Sequence, residues 1–176
     1  MNFSIFSLFF FYWLSIFSCL GYGILILQLF KKQINFKSFS YVGLIGILFL
    51  ITYAYLSNLF YPHGLIHNSI IVVLGFLSFI YFILLKFFEK KRLRNLIVVF
   101  SLLFVAFIIY KPHDDFSYYH FQYTYYLTQF PMLIGVGQFN HGFATPSSIF
   151  YLNSLFFLPF SKFALFHISS LLVFGF

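Results

Sequence analysis

The acidic side chains of this sequence are few, and two of them are adjacent. Among 176 residues there are three Asp or Glu: Glu89, and the neighbours Asp114 and Asp115. A positioned carboxylate can act as a general base, or can hold a divalent cation beside a phosphate. An Asp can also cap a helix by accepting backbone N–H groups, but one cap needs only one Asp. The pair is therefore the first candidate for chemistry, with capping as the alternative.

Other chemically useful groups lie on both sides of the pair within the stretch 111–143. They are histidines, amides and a tyrosine: His113, Tyr119, His120, Gln138, Asn140 and His141. On a helix that begins near Asp115, Tyr119 lies one turn further on and shares its face. Adjacent carboxylates suit Mg²⁺ or Mn²⁺, whereas the Asp and His spacing fits no zinc signature. We therefore predict a metal or catalytic role for Asp114 and Asp115, while surface hydrogen bonding is the alternative for the histidines.

Composition indicates which elements must position these groups. The sequence is 62% hydrophobic and 7% charged, whereas soluble globular domains carry roughly 25% charged residues. This composition excludes a water-soluble fold. The net charge of +7 comes from basic residues in short loops, so it indicates membrane topology and not a nucleic-acid partner. The single Cys19 allows no intrachain disulfide.

Long apolar runs predict an all-α fold, a polytopic transmembrane helical bundle over residues 1–110. The predicted spans are 3–30, 41–61, 68–87 and 93–110. Runs of this length satisfy their backbone groups in lipid as helices, and barrel strands would be shorter and alternating. The first run lacks the basic flank of a cleavable signal peptide, so we expect it to be a true span.

Basic residues predict the orientation. Eight of the ten Lys and Arg lie in or next to the loops after the first and the third predicted span: Lys31, Lys32, Lys37, Lys86, Lys90, Lys91, Arg92 and Arg94. The positive-inside rule makes this side cytoplasmic. The N-terminus and the loop 111–145 then face outside, and a bacterial inner membrane is the predicted location. Glu89 is expected to pair with a basic neighbour in solvent, and Lys111 and Lys162 to anchor the membrane edge by snorkelling.

The outer loop is predicted to carry an interfacial helix over 116–130, which contains neither Pro nor Gly and ends at Pro131. Thr145-Pro146 has the residue types of a helix start, and Pro159 is expected to end or kink that apolar helix. A last apolar run, 162–176, is shorter than the roughly 20 residues that a span requires. We therefore expect further membrane helices over 146–176, with the sequence cut inside a span.

Two short patterns resemble the GT-C class of membrane glycosyltransferases. Asp115-Phe-Ser-Tyr-Tyr119-His120 is similar to the Asp-x-x-x-Tyr-His pattern of many bacterial GT-C-like proteins. The segment Gly135-Val-Gly137-Gln138-Phe-Asn140-His141-Gly142, followed by Ser147-Ser148, resembles the Gly-rich segment and polar helix start of those proteins. The resemblance covers residues 111–160.

This resemblance implies a polyprenyl-phosphate-linked sugar donor, a glycan or lipid acceptor, and inverting transfer outside the cytoplasm. Asp115 would be the catalytic base or would orient the acceptor, and Asp114 would be a metal or substrate partner. The implied substrate-binding residues are Tyr119, His120, Gln138, Asn140 and His141. Three alternatives stay open: a surface-polysaccharide polymerase or ligase, a transporter, and a non-catalytic membrane scaffold. Ionisable residues inside the spans would mark a transporter, and a scaffold would tolerate Asn in place of either Asp.

Overall fold

The computed structural model describes residues 4–30, 38–85, 89–109, 114–139, 141–144 and 147–176. Within these ranges the protein is all-α, with four long helices: α1 (Ile5–Leu29), α2 (Phe39–Asn58), α3 (Leu65–Leu84) and α4 (Lys90–Ile109). Each is long and apolar enough to cross a membrane. The predicted fold class is confirmed, and the protein is a membrane protein. The helix bounds differ from the predicted spans by a few residues; α2 begins early because Ser38 caps it, accepting the Tyr41 N–H.

Glycines bring α1 close to both α2 and α3. A Cβ atom on Gly46 of α2 would overlap the backbone carbonyl of Cys19, and one on Gly21 would overlap the carbonyl of Gly75 in α3. Only a residue without a side chain fits such close backbone approaches. These helices therefore pack backbone to backbone around α1.

Helix α4 packs against α1 through aromatic side chains. The Tyr12 hydroxyl is buried and donates a 2.8 Å hydrogen bond to the carbonyl of Phe100. The same ring contacts Phe104 and Phe107 at centroid distances of 5.0 and 5.9 Å. A buried tyrosine requires a partner for its hydroxyl, so this hydrogen bond also sets the position of α4 on α1.

The helix predicted over 116–130 is present in two parts. A π-helical turn, Phe116–His120, leads directly into α5 (Phe121–Gln129). We call Phe116–His120 the π segment. The helical hydrogen bonding stops at Phe130, before Pro131, because the residue before a proline is disfavoured in the helical conformation.

Two short helices follow, α6 (Ser148–Ser154) and α7 (Ile168–Gly175). Ser147 caps α6 by accepting the Ile149 N–H, whereas the predicted start at Thr145-Pro146 lies outside the described residues. Neither helix reaches the roughly 20 residues that cross a bilayer.

Helix α6 ends at Ser154, before the predicted stop at Pro159. The side chain of Asn68 explains this early end. Its Nδ2 donates to the carbonyls of Ser154 and Phe157 at 2.8 and 3.0 Å. These carbonyls therefore receive hydrogen bonds from α3, and after Ser154 the backbone continues only as a tighter turn, in which the Phe157 N–H donates to the Ser154 carbonyl at 3.2 Å.

The loop 59–64 between α2 and α3 is bonded to α5 and α6. The His63 N–H donates to the carbonyl of Leu127 at 2.9 Å, and the Met132 N–H donates to the carbonyl of Asn58 at 2.7 Å. Because α3 runs from this loop to Leu84, the basic first turn of α4 lies at the other end of the bundle. We call the two ends the loop end and the basic end.

Candidate functional site

A cavity of about 690 Å³ opens at the loop end, between the π segment and the starts of α6 and α7. This volume falls within the range of small-molecule sites, roughly 300–1,000 Å³. Its lining combines aromatic rings with hydroxyl, amide and imidazole groups.

The π segment contributes Tyr119 and His120, the last two residues of the Asp-x-x-x-Tyr-His pattern. Their rings meet edge to face at 4.3 Å, and the His120 ring lies 5.0 Å from that of Phe150 in α6. Gly142 packs directly against Tyr119, where a Cβ atom would overlap the tyrosine side chain. A π turn inside a helix is frequent at functional sites, and here it turns two consecutive aromatic side chains toward one cavity.

Helix α6 contributes Ser147, Ser148 and Asn153 to the lining. The Asn153 side chain is 4% exposed, and its Oδ1 accepts the Ser169 N–H at 3.1 Å. This N–H belongs to the first turn of α7, where backbone donors have no helical partner. Asn153 thus joins α6 to α7 at the wall of the cavity.

The start of α7 contributes His167, Ser169 and Ser170. The His167 ring contacts the Phe116 ring at a centroid distance of 3.9 Å. Burial, with a smaller effect from nearby His120, lowers the pKa of His167 to about 4. His167 is therefore an uncharged imidazole at neutral pH. The Ser169 hydroxyl is buried without a hydrogen-bond partner among the described residues.

The two carboxylates precede the π segment, and neither lines the cavity. Asp114 is exposed and Asp115 is half-buried, directly before the cavity residue Phe116. Within the described residues, the Asp115 side chain forms no capping hydrogen bond with the π segment. Asp114 and Asp115 are themselves helical, so the helix begins before the π segment, and both helix capping and a catalytic role of the pair stay predictions.

Two other predicted substrate-binding residues, Gln138 and His141, do not line this cavity. Gln138 lines a separate cavity of about 340 Å³ together with Tyr123 and Tyr151. His141 is exposed and lines neither cavity. Asn140, like His113 and Lys111, lies outside the described residues. The structure thus brings together Tyr119 and His120 from the predicted set, and leaves the roles of the others as predictions.

The cavity residues that were not singled out from the sequence include Asn153, His167 and Ser169. A signal was available for the first two, because each is a polar side chain inside an apolar run. Such residues are expensive in a membrane segment and point to function by default. Their convergence on Tyr119 and His120, however, depends on how α6 and α7 fold back.

The lining favours recognition of a polar organic ligand. Aromatic rings offer flat apolar surfaces, while hydroxyl, amide and neutral imidazole groups offer hydrogen bonds without charge. The acidic pair stands beside this lining in the chain, at the beginning of the same helical segment. The lining can hold a polyhydroxylated group.

No curated protein and no solved structure matches the chain. One family model does match it, over residues 6–176, and is described as a domain of unknown function. This match spans the four long helices, the π segment and the cavity. The protein therefore belongs to the DUF8201 family.

Proposed function

We propose that the protein is an integral membrane glycosyltransferase of the GT-C type. It transfers a sugar from a polyprenyl-phosphate donor to a glycan or lipid acceptor of the cell envelope. The proposed location is a bacterial inner membrane, with the loop end facing outside. The membrane supplies the lipid-linked donor.

One observation carries this proposal. Tyr119 and His120 belong to the pattern that resembles GT-C-like proteins, and both line a cavity rich in hydroxyl and aromatic groups. Asp115, the first residue of the pattern, lies directly before this lining. The cavity opens at the loop end, away from the basic first turn of α4, which the positive-inside rule assigns to the cytoplasm. The residues, the lining chemistry and the predicted orientation agree.

The proposed reaction uses Asp115 as general base. Its carboxylate takes the proton from an acceptor hydroxyl, and the hydroxyl oxygen attacks the anomeric carbon of the donor sugar. The bond from that carbon to the phosphate oxygen breaks, and polyprenyl phosphate leaves with the electron pair. The fixed negative charge also stabilises the positive charge that develops at the anomeric carbon. The configuration at that carbon inverts.

Binding of Mg²⁺ or Mn²⁺ by Asp114 and Asp115 stays a prediction. In the described part of the chain, no three His, Cys, Asp or Glu side chains gather into a possible metal site. The pair alone supplies two carboxylates, and a hydrated Mg²⁺ is commonly held by one or two of these together with substrate phosphate. No step of the proposed reaction is therefore routed through a metal.

The test replaces Asp115 with Asn and measures incorporation of labelled sugar into envelope glycan, with the amount of membrane-inserted protein checked. A lost general base lowers the rate by about 10²–10⁴-fold, so we expect incorporation to fall to background.

The matched control is Glu89→Gln, the same change from acid to amide at the basic end. Glu89 is exposed and forms an ion pair with Arg92 at 2.9 Å. Such a surface pair contributes little to stability. Glu89→Gln should therefore retain incorporation. Incorporation by Asp115→Asn at the wild-type level would remove the catalytic assignment.

A further inference from the structure

The described wall of the cavity at the loop end carries no permanent charge. Of the described residues in its wall, none is Lys, Arg, Asp or Glu. A buried anionic group requires a cationic partner or many donors to offset the loss of water. An anionic ligand here would meet no such cation among these residues, and Asp115 precedes the first of them. The wall therefore disfavours a negatively charged ligand.

The same wall disfavours positive charge. The pKa of His167 falls to about 4, chiefly because burial penalises the protonated form. A cationic ligand beside this imidazole would pay the same desolvation cost. It would also find no carboxylate among the described lining residues. The wall thus resists charge of either sign.

Uncharged hydrogen-bonding groups remain available for a ligand. Ser169 is 1% exposed, and its hydroxyl has no hydrogen-bond partner among the described residues. Of the Asn153 amide, only Oδ1 is hydrogen-bonded within the described chain. Ser148 and Ser170 are exposed at the same wall. Buried polar groups that lack partners are uncommon in folded proteins, and a ligand hydroxyl can satisfy them.

We infer that this cavity binds an uncharged sugar residue, recognised through Asn153, His167 and Ser169. The inference rests on the proposed function and narrows it: the group in the cavity is a neutral sugar, and not a uronic acid or an amino sugar. Aromatic rings of Phe116 and Phe150 offer the flat apolar surfaces on which a sugar ring packs. The charged phosphate of a lipid-linked donor then lies outside this wall.

Matched sugars test the inference directly. The full protein in lipid nanodiscs is titrated with methyl glycosides of the gluco, galacto and manno series, each as the neutral sugar, the uronic acid and the 2-amino sugar. Binding is followed by saturation-transfer NMR. We expect a neutral member to bind at least about tenfold more tightly than its charged counterparts, a difference on the scale of one buried hydrogen bond.

Variants then assign the binding to this wall. Ser169→Ala removes a hydroxyl that has no hydrogen-bond partner within the described ranges, so it leaves the fold intact and should weaken neutral-sugar binding about tenfold. Asn153→Leu should weaken it further, and Ser40→Ala, exposed at the basic end, is the control. Equal binding of a charged counterpart, binding unchanged by Ser169→Ala, or no binding by any sugar would overturn the inference.

The two proposals fail separately. Neutral-sugar binding that depends on Ser169, combined with normal sugar incorporation by Asp115→Asn, would refute the catalytic proposal and leave a sugar-binding site. Incorporation that depends on Asp115, with a uronic acid bound preferentially, would refute the inference alone.

Discussion

The imidazole of His63 lies fully buried between two serine hydroxyls at the loop end. Its Nδ1 is 2.6 Å from Ser154 Oγ, and its Nε2 is 3.0 Å from Ser57 Oγ. Ser154 Oγ also donates to the Tyr151 carbonyl at 2.8 Å, and Ser57 Oγ donates to the Ala54 carbonyl at 3.4 Å. One residue in this way joins α2, the loop 59–64 and α6.

This burial makes stability depend on pH. It lowers the pKa of His63 to about 3, with a smaller effect from His67. In the unfolded chain the pKa of this histidine is near 6.5. The free energy of unfolding is therefore highest above pH 6.5, where the ring is neutral in both states, and it falls as the pH drops toward 3, because protonation of the ring favours the unfolded chain. At pH 5 the loss is about 2 kcal/mol. We expect the thermal unfolding midpoint of the protein in detergent to fall between pH 7 and 5.

His63→Gln should flatten this pH dependence, because glutamine does not titrate, while lowering the midpoint at pH 7.5 through the lost buried hydrogen bonds. The exposed His141→Gln is the control and should behave as wild type. A pH dependence that is the same in His63→Gln and in the wild type would show that the buried imidazole is not its source.

At the scale of elements, the close backbone packing between α1 and α2 restricts the contact positions to residues without a side chain. Gly46→Ala would place a methyl group on the carbonyl of Cys19 and force the two helices apart. Overpacking of this kind costs about 1–3 kcal/mol, so the unfolding midpoint should drop. Gly64→Ala is the matched control, because a Cβ atom there meets nothing within 4 Å. Equal midpoints for the two variants would contradict the packing described for α1 and α2.

The long elements could be predicted from sequence because their physics is local. A run of twenty apolar residues has few solutions in lipid other than a helix, and each predicted span corresponds to one long helix. The helix over 116–130 followed similarly from Pro131 and the absence of earlier breakers. The end of α6 did not, because it is set by the distant side chain of Asn68. A tertiary hydrogen bond of this kind has no signature in the local sequence.

The site was predictable only in part, for the same reason. Tyr119 and His120 stand in a recognisable pattern beside the Asp pair, and the structure places both in the cavity. His167 and Asn153 reach that cavity because α6 and α7 fold back against the π segment, a contact between segments distant in sequence. Their polarity inside apolar runs could have marked them as unusual, but not as neighbours.

At the scale of the whole molecule, the two ends of the bundle differ in chemistry. The loop end holds the cavity, the Asp pair and the His63 hydrogen bonds. At the basic end, helix α4 begins with Lys90, Lys91 and Arg92. Because lipid-linked sugar donors of this class are used outside the cytoplasm, the proposed function requires the loop end to face outward. The proposed glycosyl transfer therefore depends on this orientation.

Cysteine labelling in spheroplasts tests that orientation most directly. Ser117→Cys places an exposed thiol in the π segment, and Lys91→Cys places one at the basic end; the native Cys19 is fully buried and gives little background. With a membrane-impermeant maleimide, Ser117→Cys should label in intact spheroplasts and Lys91→Cys only after lysis. Labelling of Lys91→Cys in intact spheroplasts, with Ser117→Cys protected until lysis, would contradict an outward-facing cavity and the glycosyl transfer proposed there.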